Sequence, residues 1–212
     1  MQRLGVIGSG SIVPFHLDAL KAAGFEIAVV GTRSGSERSA TLAERYGAAL
    51  ADSWQDVLAT PGLDALLIAP ETSVTTEILA AALEQTSLPI LVEKPISYSS
   101  TELDALLTLP AEQQARVLVG YNRRHYSSTA AAATFLNDQG IAAATFHASI
   151  PEASWDAAMA DDRKRGILLA NSVHVLDLLQ YLFGALEVVG LTGVDNETGL
   201  VSRAVSLRTA SG

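Results

Sequence analysis

A chain of 212 residues that is 49% hydrophobic and 17% charged carries enough apolar material for one large packed domain or two modest ones, which excludes a disordered chain. A formal charge of −9 argues against nucleic acid as a partner, because phosphate binding calls for clustered Lys and Arg. The absence of cysteine excludes disulfides, thiol nucleophiles and thiolate metal sites, and no apolar run approaches the roughly 20 residues of a membrane span.

The first residues enter a short strand and a glycine turn without the long apolar stretch of a signal peptide, so a cytoplasmic location is expected. Strand-like apolar runs at 3–7, 26–30, 63–69, 89–92 and 116–120 alternate with helical periodicity at 13–23, 37–46, 75–85 and 101–107. That alternation predicts βαβ units and a doubly wound parallel sheet over residues 1–122. After Tyr121-Asn122 the character changes, and residues 123–212 read as an α+β domain with an incomplete open antiparallel sheet. Its elements are a helix at 128–136, a strand at 142–150, an irregular stretch with Trp155, a helix at 172–183 ended by Gly184, and two alternating segments at 186–194 and 202–209. The basic run Arg163-Lys164-Arg165 follows Asp161-Asp162 and reads as a solvated loop.

Gly8-Ser9-Gly10-Ser11-Ile12-Val13 joins the first strand to the first helix, where backbone amides and the positive helix end can hold a pyrophosphate. The third position of the dinucleotide fingerprint is Val13 rather than glycine, which loosens the match, yet the strand-turn-helix context predicts a Rossmann domain. At the end of the second strand an NAD enzyme usually carries an acidic residue. Here Thr32-Arg33-Ser34 offers a cation and hydroxyls instead, so NADP is expected over NAD.

Glu93-Lys94-Pro95 falls at the C-terminal edge of the fourth predicted strand, where open α/β sheets bind ligands and where an ammonium can stabilise charge on a substrate oxygen. His174 and Asp177 stand three residues apart and share one helical face, opposite Val175, Leu176, Leu178, Leu179 and Leu182, which are expected to be buried. Tyr121, Asn122 and Arg124 lie at the domain junction, within reach of cofactor or substrate. His16 reads as a packing residue of the first helix, and the scattered carboxylates show no metal-ligand spacing.

Five segments in order resemble one family, that of glucose-fructose oxidoreductase, inositol dehydrogenase and rhizopine catabolism, Gfo/Idh/MocA. They are Gly8-Ser9-Gly10; Thr32-Arg33-Ser34 with Ala43-Glu44-Arg45-Tyr46-Gly47; Glu93-Lys94-Pro95; Gly120-Tyr121-Asn122-Arg123-Arg124; and His174-Val175-Leu176-Asp177 with Leu182-Phe183-Gly184. The resemblance implies a dinucleotide held by Gly8, Ser9, Gly10, Ser11, Ile12, Thr32, Arg33, Ser34, Pro70, Glu93, Lys94 and Asn122. It implies that Lys94 lies beside the nicotinamide and the reacting oxygen, that Pro95 follows a cis bond, and that His174 is the general acid/base. Tyr121, Arg124, Asn171 and Asp177 become expected contacts of a sugar, cyclitol or related polyol, with a structural role for Asp177 the alternative.

The chain also departs from the family. Many relatives place an Asp one turn before this His, where Ala170 and Asn171 stand here, and Thr75 replaces a frequent His after Pro70. Relatives are commonly longer, with a larger second sheet that joins subunits, so a homodimer through the remaining sheet is expected. The competing reading is a dinucleotide-binding sensor or scaffold without efficient catalysis, motivated by the missing carboxylate and the short second domain.

Overall fold

The computed structural model describes residues 1–140, 173–195 and 201–209. Contacts divide the chain into two compact units, Met1–Gly120 and Tyr121–Gly212. The first unit contains strands β1 (Gln2–Ile7), β2 (Phe25–Gly31), β3 (Ala49–Ala51), β4 (Ala65–Ile68), β5 (Ile90–Val92) and β6 (Val117–Val119). Helices α1 (Val13–Ala22), α2 (Glu37–Tyr46), α3 (Trp54–Leu58), α4 (Thr72–Gln85), α5 (Ser100–Leu107) and α6 (Ala111–Gln114) connect them. The sheet is parallel throughout, in the order β3-β2-β1-β4-β5-β6. Strand order therefore reverses between β1 and β4, which is where open sheets of this kind bind ligands beyond their C-terminal ends.

Both faces of the sheet are buried, as parallel strands require. On one face Ile7, Val29, Leu66, Ile68, Ile90 and Val92 pack with Val57 of α3 and Ile78, Leu79, Ala82 and Leu83 of α4. On the other, Leu4, Val6, Ile27, Val30 and Leu67 pack with Val13 and Leu17 of α1 and Leu42 and Ala43 of α2. Alternation along β1 distributes its residues between these two cores, and each fully buried Leu or Ile contributes roughly 1.5–3 kcal/mol relative to exposure. Helix ends follow local chemistry. Ser36 caps α2 by accepting the Ser39 N–H at 3.2 Å, and Gly47 closes it in the left-handed region at φ +67°.

The sheet has six strands where periodicity predicts five. The extra one, β3, is three residues of Ala, Leu and Ala, too short and too weak in β-propensity to stand out. The same brevity hides α3 and α6. Helix α4 begins at Thr72, three residues before the expected start; the poor helix propensity of its hydroxyl-rich first turn hides that beginning in the sequence. Thr75 is buried there and donates to the Glu71 carbonyl at 3.2 Å.

The second unit opens with a single 3₁₀ turn (Asn122–His125), followed by α7 (Ser127–Asp138), α8 (Val173–Phe183) and an antiparallel pair, β7 (Leu186–Asp195) and β8 (Val201–Thr209). The expected strand at 142–150, Trp155 and the basic run at 163–165 lie outside the described residues, as do Ala170 and Asn171. Helix α8 corrects one expectation: Leu176 is exposed and its apolar neighbours only half-buried, while Asp177 is buried. An ion pair, described below, draws that carboxylate inward. Among the described residues, no helix is long and apolar enough to cross a membrane.

Candidate active site

The turn after β1 shows why its glycines differ. Gly8 has φ +131°, and a Cβ built on it would lie 2.2 Å from the Ala69 carbonyl oxygen and 2.9 Å from Pro70 N. Its N–H donates to the Gly31 carbonyl at 3.2 Å, so the ends of β1, β2 and β4 meet here. A Cβ on Gly10 would meet nothing within 4 Å. Helix α1 follows with Ile12 at its N-cap and no side-chain cap. An uncapped helix start beside open space above a glycine turn fits a pyrophosphate, which the helix dipole favours; within the first turn of α1 the Val13 and Phe15 N–H groups bond to the Gly10 and Ile12 carbonyls at 3.1 Å and Pro14 has no N–H. Ser11 and Ile12 are exposed along this opening.

Beyond the end of β2, Arg33 and Ser34 are exposed and a pocket of about 210 Å³ is lined by Arg33, Gly35, Ser36, Glu37, Ala40, Leu50, Ala51 and Asp52. Hydroxyls join this pocket to the glycine turn. Thr32 Oγ1 is 3.1 Å from Ser39 Oγ, which donates to Ser36 Oγ at 3.0 Å, and Ser9 Oγ is 3.5 Å from Ser36 Oγ. Glu37 and Asp52 are carboxylates that the sequence reading did not bring to this end of β2. Asp52 arrives through β3, which alternation alone did not reveal.

At the end of β5 the Glu93 N–H donates to the Ile68 carbonyl at 2.8 Å, which extends the sheet by one bond and fixes the start of Glu93-Lys94-Pro95. The Lys94-Pro95 bond is cis. One oxygen of the Glu93 carboxylate accepts the Lys94 N–H at 3.0 Å; the other lies 2.5 Å from Nε2 of His16. Both members of the His16–Glu93 pair are largely shielded, at 22% and 16% side-chain exposure. A Cβ on Gly120 would sit 3.1 Å from the same Glu93 oxygen, so glycine leaves the space this carboxylate occupies. Lys94 and Pro70 are half-buried at this edge of the sheet.

In the second unit Tyr121, Arg124, His174, Asp177 and Tyr181 form a cluster. Arg124 grips Asp177 through two bonds, Nε to Oδ2 at 2.8 Å and a short second bond to Oδ1. Its guanidinium carbon lies 5.7 Å and 5.6 Å from the ring centroids of Tyr121 and Tyr181. Hydrogen bonding to Asp177 raises the Arg124 pKa further, and the pair is a bidentate charge-assisted contact. Burial, and secondly the Asp177 charge, push the Tyr121 phenol above its ordinary value, with Arg124 partly offsetting them. The Tyr121 and His174 rings meet edge to face, centroids 6.4 Å apart at 81°.

The structure therefore gathers the expected dinucleotide residues of the first unit, Gly8 to Ile12, Thr32 to Ser34, Pro70, Glu93 and Lys94, at the C-terminal edge of one sheet. Asn122 is exposed on the 3₁₀ turn of the second unit. Arg124 and Asp177 satisfy one another, which favours the structural reading of Asp177. The sequence reading missed the partner of His16 and the place of Tyr181, since both are pairings across tens of residues that periodicity does not carry. Among the described residues no group of three or more His, Asp or Glu could hold a metal.

The family model described as "Oxidoreductase family, NAD-binding Rossmann fold", Gfo/Idh/MocA, matches residues 2–121. The inositol 2-dehydrogenase of Corynebacterium glutamicum is 29% identical over 125 residues, 58% of this chain and 37% of that protein. Inositol 2-dehydrogenase 3 of Saccharopolyspora erythraea is 28% identical over 192 residues, 85% of this chain and 53% of that protein. The chain thus spans about half, or less, of the length of these relatives. A solved myo-inositol dehydrogenase from Corynebacterium glutamicum superposes with a TM-score of 0.80 at 24% identity, covering 100% of this chain and 66% of that one, and supports the fold.

Proposed function

The chain belongs to the Gfo/Idh/MocA oxidoreductase family with its NAD-binding Rossmann fold, and from that premise we propose that it interconverts a secondary alcohol and a ketone on a sugar, cyclitol or related polyol. The observation that carries this reading is Lys94, set at the same sheet edge as an uncapped glycine turn. Residues 1–122 hold the dinucleotide in this reading, and 123–212 serve substrate and subunit contacts. When bound, the dinucleotide supplies or accepts the hydride at the reacting carbon. Lys94 holds the substrate oxygen and stabilises charge that develops on it. His174 exchanges the hydroxyl proton, a role suited to imidazole, while Asn171 stands where relatives often carry a carboxylate and cannot share that role. The similarity of the chain to inositol dehydrogenases supports the substrate class.

The reading is tested by fluorescence titration with NADPH and NADH, followed by a panel of sugar- and cyclitol-derived ketones while cofactor absorbance is watched. Binding with turnover is expected. Binding without turnover on any member would favour the sensor reading, and no binding would overturn both.

Within this reading NADP is the preferred cofactor, with Arg33 facing the ribose 2′-phosphate. Glu37 and Asp52 line the same pocket and work against that phosphate, so the margin is modest, NADPH binding about tenfold tighter than NADH. Arg33→Asp should reverse the order of the two dissociation constants. An unchanged order would remove Arg33 from the argument.

The second unit supports a homodimer through β7 and β8. Val188 pairs with Leu207 and Leu191 with Val205, and cross-strand partners share a face, so these four form one apolar stripe. Val188 and Leu191 are 64% and 65% exposed, and a two-stranded ribbon is marginal by itself. Light scattering should give the mass of two chains, falling to one for Leu191→Lys. A stable monomer from the unaltered chain would sink the dimer.

A further inference from the structure

The His16–Glu93 pair joins two segments 77 residues apart: α1, which follows the glycine turn, and the tripeptide that carries Lys94. Packing would not require it, since α1 is anchored by the buried Val13 and Leu17. A carboxylate beside an imidazole nitrogen accepts its N–H, and the second oxygen of this carboxylate accepts the Lys94 amide. Each bond fixes the torsions the other needs. With one oxygen tied to His16, the Glu93 side chain loses its freedom to swing, and the oxygen left over points at the Lys94 N–H. Gly120 makes room for this arrangement, because a side chain there would press on the oxygen that meets His16.

We propose that His16 is a positioning residue for Lys94, acting through the Glu93 carboxylate. The proposal rests on the role given to Lys94 above. His16 touches neither substrate nor reacting atoms in it; it sets where the Lys94 backbone sits, and so where the ammonium can be delivered. Small misplacements of such a group cost up to about a hundredfold in rate.

Two measurements on the full chain test it. The first needs no turnover. Amide hydrogen exchange followed by NMR should show the Lys94 N–H exchanging about tenfold faster in His16→Ala than in the unaltered protein, with the Gly8 N–H unaffected. The second is kinetic. His16→Ala should lower kcat about tenfold to a hundredfold and leave the dinucleotide Kd within about threefold, and His16→Gln, which keeps a donor near the Nε2 position, should recover most of the loss. In a Lys94→Ala background the same His16→Ala change should cost almost nothing further, because coupled residues are non-additive. An unchanged Lys94 exchange rate overturns the proposal, as does an equal kinetic loss in both backgrounds. If the unaltered protein turns over no substrate while the exchange difference persists, the oxidoreductase reading fails and the coupling of His16 to Lys94 stands.

Discussion

Lys94→Ala lowers turnover about a thousandfold and leaves the dinucleotide dissociation constant within a factor of about three. The expectation follows from where Lys94 is held. Its backbone leaves the end of β5 just after Glu93 is bonded to Ile68, and its own N–H is tied to the Glu93 carboxylate, so the residue starts from a fixed point at the sheet edge. In the proposed reaction an ammonium delivered from there would act on an oxygen whose negative charge grows during hydride transfer, and a preorganised charge of this kind contributes more to the transition state than to ground-state binding. The glycine turn, which carries the expected pyrophosphate contacts, includes no part of Lys94. Cofactor fluorescence and steady-state kinetics on the same preparation separate the two effects. Wild-type kcat in Lys94→Ala would remove this residue from the chemistry.

The second large effect contrasts the two glycines of the turn. Gly8→Ala destabilises the first unit by about 3–5 kcal/mol, because its Cβ would overlap the Ala69 carbonyl at a φ that side chains rarely adopt. Gly10→Ala meets nothing within 4 Å, so its unfolding midpoint in urea stays near that of the unaltered protein. Dinucleotide binding should nevertheless weaken at least about tenfold in Gly10→Ala, since the added methyl occupies the space above the turn where the phosphates approach. Tight cofactor binding by Gly10→Ala would show that the phosphates do not pass over this turn, and a stable Gly8→Ala would contradict the close contact with Ala69.

Much of this architecture was legible in the sequence for physical reasons. The strands of a parallel sheet are buried on both faces, so β1, β2 and β4 stand out as apolar runs, and the helices between them repeat at the spacing their buried faces demand. The glycine turn and Glu93-Lys94-Pro95 were readable as motifs because each is local. What escaped was either short or long-range. Three residues of β3 carry too little signal, yet they deliver Asp52 beside Arg33 and so change the electrostatics of the pocket from which cofactor preference was argued. His16 resembled a packing residue because its partner, Glu93, lies 77 residues away, just beyond the end of β5. For Asp177 the sequence offered a substrate contact or a structural role, and it could not show the bidentate bond to Arg124, 53 residues away, that accompanies its burial.

The close contact of Gly8 with Ala69 and Pro70 bears on how such a chain can change over generations. The turn is wedged between the ends of three strands, so substitutions at Gly8 are met at once by a loss of stability, whereas Gly10 beside it has room for a side chain. Arg33 and Ser34, by contrast, project into solvent with no comparable constraint. Exchanges at Arg33 and Ser34 are therefore open to selection for binding alone, while exchanges at Gly8 are judged first by whether the sheet still closes.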